Sequence, residues 1–291
     1  MWIKKTIIFL LIISAFSAGV YYRADVIKLF DNLSKKIQDF KETNIGSIIS
    51  EAGKEIFIPA PLRVERPTSQ VVLLKSKIIQ ETNLQRQENG NLPPLKENYL
   101  LNDAAAAKAN DMFVKQYFEH ISPSGIGPGQ LVKDYGYDYI TAGENLILGN
   151  FSSEKEAVDD WMASPGHRAN ILNGRFTEIG VAVVKGTYEG GTVWIGVQEF
   201  GLPLSTCEEP NVALKLQLDS YKIQLDTLSA QIENKKSEIN NTSRNSSTYN
   251  QMVDEYNHLV GQYNSLAEIT KQSIANYNNQ VNVFNNCVNG N

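Results

Sequence analysis

The sequence contains few cysteines, few histidines and no excess of positive charge. Among its 291 residues are 2 cysteines, Cys207 and Cys287, and 3 histidines, His120, His167 and His258. So few cysteines exclude a disulfide-dense mini-protein and a zinc cluster built on thiolates, but they leave room for one disulfide. The formal net charge is -5. Because a protein that binds a nucleic-acid backbone needs a basic surface, nucleic acid is excluded as a partner.

The first 22 residues predict the compartment. Lys4 and Lys5 precede an uncharged, mostly apolar run at residues 6–22. This run is longer than the core of a usual signal peptide, about 7–15 residues, and slightly shorter than a membrane-spanning helix of about 20 residues. Tyr21 and Tyr22 at its end favour an uncleaved membrane anchor, while a signal peptide cleaved after Ser17 is the alternative. In both cases the rest of the chain is expected outside the cytoplasmic membrane.

Residues 23–69 are interpreted as a stalk that lifts the following domain off the membrane. Apolar residues at helical spacing occupy positions 26, 30, 33, 37 and 40. Residues 58–67 then contain three prolines, and each proline disfavours helix at the residue before it. This second part is therefore predicted to be an extended linker.

Residues 70–203 have the pattern of a globular α+β domain. Helical periodicity covers residues 71–88 and 97–119. A helix restarts near residue 153, with Ser152 or Ser153 as its cap and Glu156 at capping-box distance from Ser153. Residues 178–184 and 192–200 are β-like and are separated by a turn rich in glycine, which predicts a hairpin. Helices followed by a hairpin indicate a layered α+β fold rather than a parallel sheet.

Residues 207–291 repeat apolar side chains every three and four residues alternately. The two series comprise residues 214, 218, 221, 225, 228, 232, 235 and 239, and then residues 249, 253, 256, 260, 263, 267, 270, 274, 277, 281, 284 and 288. Such a repeat over several heptads predicts a coiled coil. The polar break at residues 240–247 predicts that the two helices fold back as an antiparallel hairpin. The same seam would also serve a second coiled-coil chain.

The predicted hairpin also predicts a disulfide. Cys207 and Cys287 lie at equal distances before and after residue 247. An antiparallel hairpin that turns there brings both cysteines to its base. Since an extracytoplasmic protein meets an oxidising environment, we expect a Cys207–Cys287 bridge.

Two histidines and one glutamate lie in segments rich in glycine and proline. His120 precedes Ile-Ser-Pro-Ser-Gly125, His167 follows Ser-Pro-Gly166, and Glu144 lies within Ala-Gly-Glu-Asn-Leu146. Neutral imidazoles and a carboxylate could bind zinc, or could transfer protons near neutral pH. His258 lies beside the coiled-coil seam and is expected to be a solvated surface residue.

Six sequence blocks in order resemble the CAP superfamily, also called SCP domains, in its prokaryotic branch. They are Gly-Asn-Leu-Pro-Pro-Leu95, His-Ile-Ser-Pro-Ser-Gly125, Gly-Glu-Asn-Leu146, residues 161–172, Phe-Thr-Glu-Ile-Gly-Val181, and Trp194 with Gln-Glu-Phe-Gly201. The resemblance covers roughly residues 71–201. It implies an α-β-α sandwich in which helices cover both faces of a small antiparallel sheet.

The resemblance also implies a cleft where two histidines and two glutamates meet and can hold a divalent metal. His120, Glu144 and His167 match three of these four positions. The fourth position carries Ser164 instead of glutamate, which puts binding of a metal by four groups in doubt. Two histidines, one carboxylate and an open position would still suit zinc. Asp160 or Glu178 are the candidates to replace the missing acid.

Two classes of function follow. The favoured one is an extracellular binding module, not an enzyme, that presents the cleft to a lipid, an envelope polymer or a protein. The alternative is a metal-assisted hydrolase acting on peptide or envelope material, in which Glu144 or His167 activates a water and His120 ligates or orients.

Overall fold

The computed structural model describes residues 55–68 and 70–290, so the predicted anchor at residues 1–22 and the helical stripe at residues 26–40 lie outside the described residues. No helix in the described part is long and apolar enough to cross a membrane. The described chain divides into two compact units, residues 55–209 with 284–290, and residues 210–283.

Seven α-helices and six strands make up the described chain. The helices are α1 (Lys75–Glu88), α2 (Tyr99–Lys115), α3 (Pro128–Asp134), α4 (Glu154–Ala163), α5 (Pro165–Ile171), α6 (Val212–Asn241) and α7 (Tyr249–Asn289), with a short 3-10 helix at Leu204–Thr206. The strands are β1 (Glu55–Phe57), β2 (Leu62–Val64), β3 (Lys96–Glu97), β4 (Tyr139–Gly149), β5 (Glu178–Tyr188) and β6 (Gly191–Pro203).

The strands form one mixed sheet in the order β1-β4-β6-β5-β3, and β2 also pairs with β4. The long strands β4, β6 and β5 are antiparallel, whereas β1 and β2 run parallel to β4 and β3 runs parallel to β5. The antiparallel sheet implied by the resemblance is present in β4, β6 and β5, and short parallel strands extend it at both edges. The parallel strands are short edge pieces that come from segments preceding the hairpin in sequence.

The predicted hairpin is confirmed. β5 and β6 pair from Glu178↔Gly201 to Tyr188↔Gly191. The two residues between the strands, Glu189 and Gly190, both have positive φ, at 50° and 81°. This is the turn geometry that matches the twist of a two-residue hairpin, and the glycine adopts it without steric cost.

Helices cover both faces of the sheet, as an α-β-α sandwich requires. On one face, α1, α4 and α5 bury Ile78, Trp161 and Ile171 against β-strand residues such as Val181 and Phe200. On the other face, small residues of α2, including Ala105 and Ala109, pack on the strands. The capping pair predicted for α4 is present, since the Ser153 hydroxyl accepts a hydrogen bond from the Glu156 amide at 3.2 Å.

The predicted linker differs from the structure, because residues on both sides of its prolines belong to the sheet. β1 pairs with Thr141–Gly143 of β4, and β2 pairs with Ile147–Gly149. The chain between them contains Pro59 and Pro61, which have no amide hydrogen to donate to a ladder. The ladder is therefore interrupted at the prolines and resumes after them.

In the second unit, α6 and α7 pack side by side in opposite directions. The Asn211 amide donates to the Gln280 side chain at 2.8 Å, and Lys235 pairs with Glu255 at 2.9 Å. Apolar residues from both helices share two clusters, which contain Leu225, Ile232, Tyr256 and Tyr263, and then Leu218, Ile274 and Val281. The knobs-into-holes geometry of a coiled coil stays a prediction.

The predicted disulfide is confirmed. Cys207 and Cys287 are bonded, with a sequence separation of 80 residues and a Cα–Cα distance of 5.8 Å. Cys207 is buried in a small apolar cluster with Ile140, Phe284 and Val288. The bridge therefore attaches the end of α7 to the segment that follows β6.

Candidate functional site

The three candidate residues come from three different elements. His120 lies in the loop after α2, Glu144 is in the middle of β4, and His167 lies in α5. All three are buried, and Glu144 has no exposed surface. His120 Nδ1 lies 2.6 Å from Glu144 Oε1. The structure thus joins two residues, His120 and Glu144, that are separated by 24 positions in sequence.

Both ring nitrogens of His120 face acceptors. Nδ1 faces the Glu144 carboxyl, and Nε2 faces the backbone carbonyl of Pro59. A carboxyl oxygen and a carbonyl oxygen therefore occupy both ring nitrogens of His120. The Lys108 ammonium donates to the His120 carbonyl oxygen at 2.6 Å, and this hydrogen bond holds the loop that carries His120.

His167 is held as a neutral ring. Its Nδ1 lies 2.8 Å from the Ser164 hydroxyl. Its Nε2 is buried and makes no hydrogen bond of acceptable geometry in the described chain. The Leu146 backbone acts to raise the pKa of the ring. Burial, and then the charge of His120, lower the pKa of His167 to about 4. The ring therefore stays uncharged at neutral pH, with one nitrogen available to a ligand.

Glu199 is a member of the cluster that the sequence analysis missed. It lies on β6 directly opposite Glu144 on β4, and it is fully buried. Neither oxygen of Glu199, nor Oε2 of Glu144, has a hydrogen-bond partner among the described residues when both groups are ionised. Burial, the charge of Glu144 and a hydrogen bond to Glu144 raise the pKa of Glu199 well above its usual range. One carboxyl of this pair is therefore protonated and can donate to the other.

Lys108 supplies positive charge beside the two carboxyls. It lies on α2 and is buried. Burial lowers the pKa of Lys108, and the charges of Glu144 and Glu199 act in the opposite direction. The buried ammonium of Lys108 needs hydrogen-bond partners, and it lies on a helix face whose other buried residues are mostly apolar. In sequence, a single lysine within an alanine-rich helix looks like a surface residue, so local periodicity could not place it here.

A network of amides positions α5 against β4. Asn145 donates to the His167 carbonyl at 3.2 Å and to the Gln198 side chain at 3.1 Å. Asn170 donates to the Asn145 side chain at 2.9 Å. Because these buried groups satisfy one another, they fix the short helix that carries His167.

The two acids proposed to replace the missing glutamate bind other partners outside the cleft. Asp160 forms a two-pronged ion pair with Arg66, at 2.6 and 2.9 Å. Glu178 accepts from the Tyr137 hydroxyl at 2.8 Å and from Asn98 at 3.0 Å. Neither joins the cleft, so the prediction that one of them replaces the family glutamate is wrong. Ser164, at the family position, contacts His167 instead.

The residues as they lie do not fit a metal ion. Within the described ranges, no three side chains of the types His, Cys, Asp and Glu are grouped so that they could hold one. The physical reason lies at His120, since a metal requires a lone pair on a neutral imidazole and both of its nitrogens face acceptors. Zinc at His120, Glu144 and His167 stays a prediction.

This three-layer α-β-α domain, in which His120, Glu144 and His167 are buried, is the class of protein that the motifs predicted. The family model of CAP, the cysteine-rich secretory protein family, matches residues 79–200. The match covers less than half of the chain.

Two curated relatives come from Bacillus subtilis strain 168. The uncharacterized protein YkwD is 44% identical over 126 residues, which are 43% of this chain and 47% of that protein. The uncharacterized membrane protein YlbC is 30% identical over 114 residues, which are 39% of this chain and 32% of that protein. The matched part is less than half the length of each relative.

An extracellular protein containing a SCP domain from Bacillus anthracis strain Ames is 31% identical, and the match covers 44% of this chain and 39% of that chain with a TM-score of 0.37.

Proposed function

We propose that this protein is an extracytoplasmic binding module whose cleft, formed by His120, Glu144 and His167, receives a ligand of the cell envelope: a lipid, a polymer or a protein. The observation that carries the proposal is His167 Nε2, a buried atom that makes no hydrogen bond of acceptable geometry among the described residues. Buried polar groups are almost always hydrogen-bonded, and exceptions concentrate where a ligand supplies the partner.

The compartment is supported by chemistry that the chain itself carries. The Cys207–Cys287 disulfide is stable outside the reducing cytoplasm. The apolar run at residues 6–22 follows two lysines, which is the pattern of an export signal or an anchor with its following chain outside. Contact with the membrane would then be made through this segment.

Binding is tested with the full-length protein in nonionic detergent. Its binding to insoluble peptidoglycan is measured by cosedimentation, and its binding to a short-chain phosphatidylglycerol is measured by calorimetry. We expect at least one ligand to bind, and Glu144→Gln and His167→Ala to weaken that binding by about tenfold or more, which is about 1.4 kcal/mol. Lys155→Ala removes an exposed ion pair with Asp159 and is the matched control. Site variants that bind as the wild type does would contradict the proposal.

A hydrolase is the second candidate, because the 2.6 Å contact between His120 and Glu144 is the geometry of a histidine oriented by a carboxylate. In this reading the same cleft would activate a water. The same preparations, with and without zinc chloride, are incubated with peptidoglycan and with casein. Release of soluble fragments that is lost in both His120→Ala and His167→Ala would replace the binding proposal with the hydrolase.

A further inference from the structure

Residues 55–66, here called the strap, run along the exposed edge of β4 and over the cleft. The strap lies before the part of the chain that matches the family, residues 79–200. Its two strands, β1 and β2, are parallel to β4. Between β1 and β2, residues 58–61 of the strap lie opposite residues 144–146 of β4. Because four residues span the length of three, the strap bulges away from the sheet beside Glu144. The strap therefore passes beside His120 and Glu144.

Domain side chains bind the strap backbone at every second residue. The Thr141 hydroxyl donates to the Glu55 carbonyl at 3.2 Å, and the Asn170 amide donates to the Phe57 carbonyl at 3.1 Å. His120 Nε2 donates to the carbonyl of Pro59. Three donors that lie on a strand, a helix and a loop thus meet alternate carbonyls of one extended chain. This spacing is how a groove recognises a peptide backbone independently of side-chain identity.

The fit at Pro59 is close on a second side. A Cβ atom on Gly166 of α5 would lie 2.6 Å from Pro59 Cβ. The absence of a side chain at residue 166 therefore makes room for the proline ring. Residue 166 directly precedes His167, so the same helix carries a cleft residue and a contact surface for the strap.

Three consecutive apolar side chains of the strap remain partly exposed although its backbone is bound. Ile56, Phe57 and Ile58 are 42%, 36% and 45% exposed. A strand that belongs to a core buries alternate apolar side chains. These three consecutive residues remain accessible while their backbone is held. That is the pattern of a bound peptide.

We propose that the cleft is a groove for an extended, proline-containing polypeptide and that the strap is its intramolecular occupant, which a peptide of the same backbone geometry can replace. The inference rests on the proposed binding function and names its ligand as a polypeptide. It also explains why His120 Nε2 does not bind another ligand, because this nitrogen already donates to the Pro59 carbonyl.

The test uses the full chain with substitutions confined to the strap. Glu55→Ala, Phe57→Ala and Arg66→Ala together remove the ion pair with Arg175 at 2.6 Å, the ring contact with Phe176 and the ion pair with Asp160. These changes leave the groove donors intact. Ile58→Ala with Glu65→Ala, at exposed strap positions, is the matched control.

The probe is a fluorescein-labelled synthetic peptide with the sequence of residues 55–66, and its binding is followed by fluorescence anisotropy. The triple variant should bind it at least about tenfold more tightly than the wild type and the control. Adding His120→Ala to the triple variant should weaken the binding. The mirror-image D-peptide should not compete, because it cannot form the same ladder.

Hydrogen exchange measures whether the strap has left the groove. Fast strap exchange in the triple variant without tighter binding of the L-peptide would overturn the inference, as would strap exchange that remains unchanged. If the triple variant does not fold, excess L-peptide must accelerate strap exchange in the wild type, and failure to do so overturns the inference. Binding of peptidoglycan or lipid without binding of the peptide overturns this inference alone and leaves the proposed function standing.

Discussion

Glu144 and Glu199 face each other across two neighbouring antiparallel strands, and neither side chain has any exposed surface. Side chains that are directly opposed in this way have Cβ atoms about 5 Å apart. Two carboxylates cannot both stay ionised at that distance in a buried setting. The pair therefore retains a proton in the folded protein, and this proton has consequences for stability.

Replacing Glu199 by glutamine should stabilise the protein at neutral and alkaline pH. Since the pKa of Glu199 is raised in the folded state, the folded chain holds a proton that the unfolded chain releases. The stability contributed by this group is thus complete below its ordinary pKa and is lost as the pH rises toward the raised value. Glutamine is neutral throughout, so the variant should lose less stability between pH 5 and pH 8.

Urea unfolding at several pH values checks this expectation. Glu189→Gln, at an exposed turn position whose side chain is 64% exposed, is the control and should follow the wild type. A Glu199→Gln profile that runs parallel to the wild type would show that Glu199 is not the group that holds the proton.

Acidification should destabilise the protein through His167. The unfolded chain protonates this residue near its ordinary value of 6.5, whereas the folded chain does so only at about 4, because the ring is buried and close to His120. Between these values the unfolded state binds more protons, so stability falls as the pH falls. The resulting loss in the free energy of unfolding is at most about 2 kcal/mol, after allowing for screening of the charge by solvent.

The measurement is urea unfolding at pH 4.5, 5.5 and 7 with a chelator present. His167→Asn should flatten the profile in this window. His258→Asn, at an exposed position on α7, should not change it. An equal flattening by both substitutions would exclude His167 as the cause.

Removing the Arg86 side chain should be strongly destabilising. The side chain is 1% exposed and donates to the carbonyls of Ile171 and Asn173 at 2.8 and 2.9 Å, and to that of Pro93 at 3.0 Å. Arg86→Ala leaves these acceptors without their partner and should cost about 3 kcal/mol or more.

Arg86→Lys should recover only part of this loss, because an ammonium cannot reproduce the geometry of the guanidinium. Arg168→Ala removes an exposed hydrogen bond to Asn89 and should change stability by less than about 0.5 kcal/mol. The free energy of unfolding from urea titration gives both values. Equal effects of Arg86→Ala and Arg168→Ala would refute the structural role of Arg86.

Removing the disulfide should lower stability by about 2–5 kcal/mol. The bond closes a loop of 80 residues, and so it restricts the unfolded chain strongly. Thermal unfolding of Cys207→Ser with Cys287→Ser is compared with the wild type before and after reduction. The reduced wild type should resemble the double variant, and midpoints that do not respond to reduction would contradict this prediction.

The sequence by itself determined the features that depend on local spacing. Leu218, Leu225, Ile232 and Ile239 recur every seven residues and are the buried residues of α6. The hairpin turn at Glu189 and the cap at Ser153 follow from two or three neighbouring residues. The family blocks identified His120, Glu144 and His167, and the hairpin argument paired the cysteines.

Only the tertiary structure decided how the cleft is completed. Glu199 joins it because the register of β4 and β6 places it opposite Glu144, and register connects residues far apart in sequence. Lys108 belongs to it because α2 packs on that face of the sheet. The prolines at residues 59 and 61 indicated a linker, since they cannot donate to a ladder, but the residues on either side of them can. Whether such an extended segment hangs free or lies along a sheet edge depends on the edge that β4 offers, which no local pattern encodes.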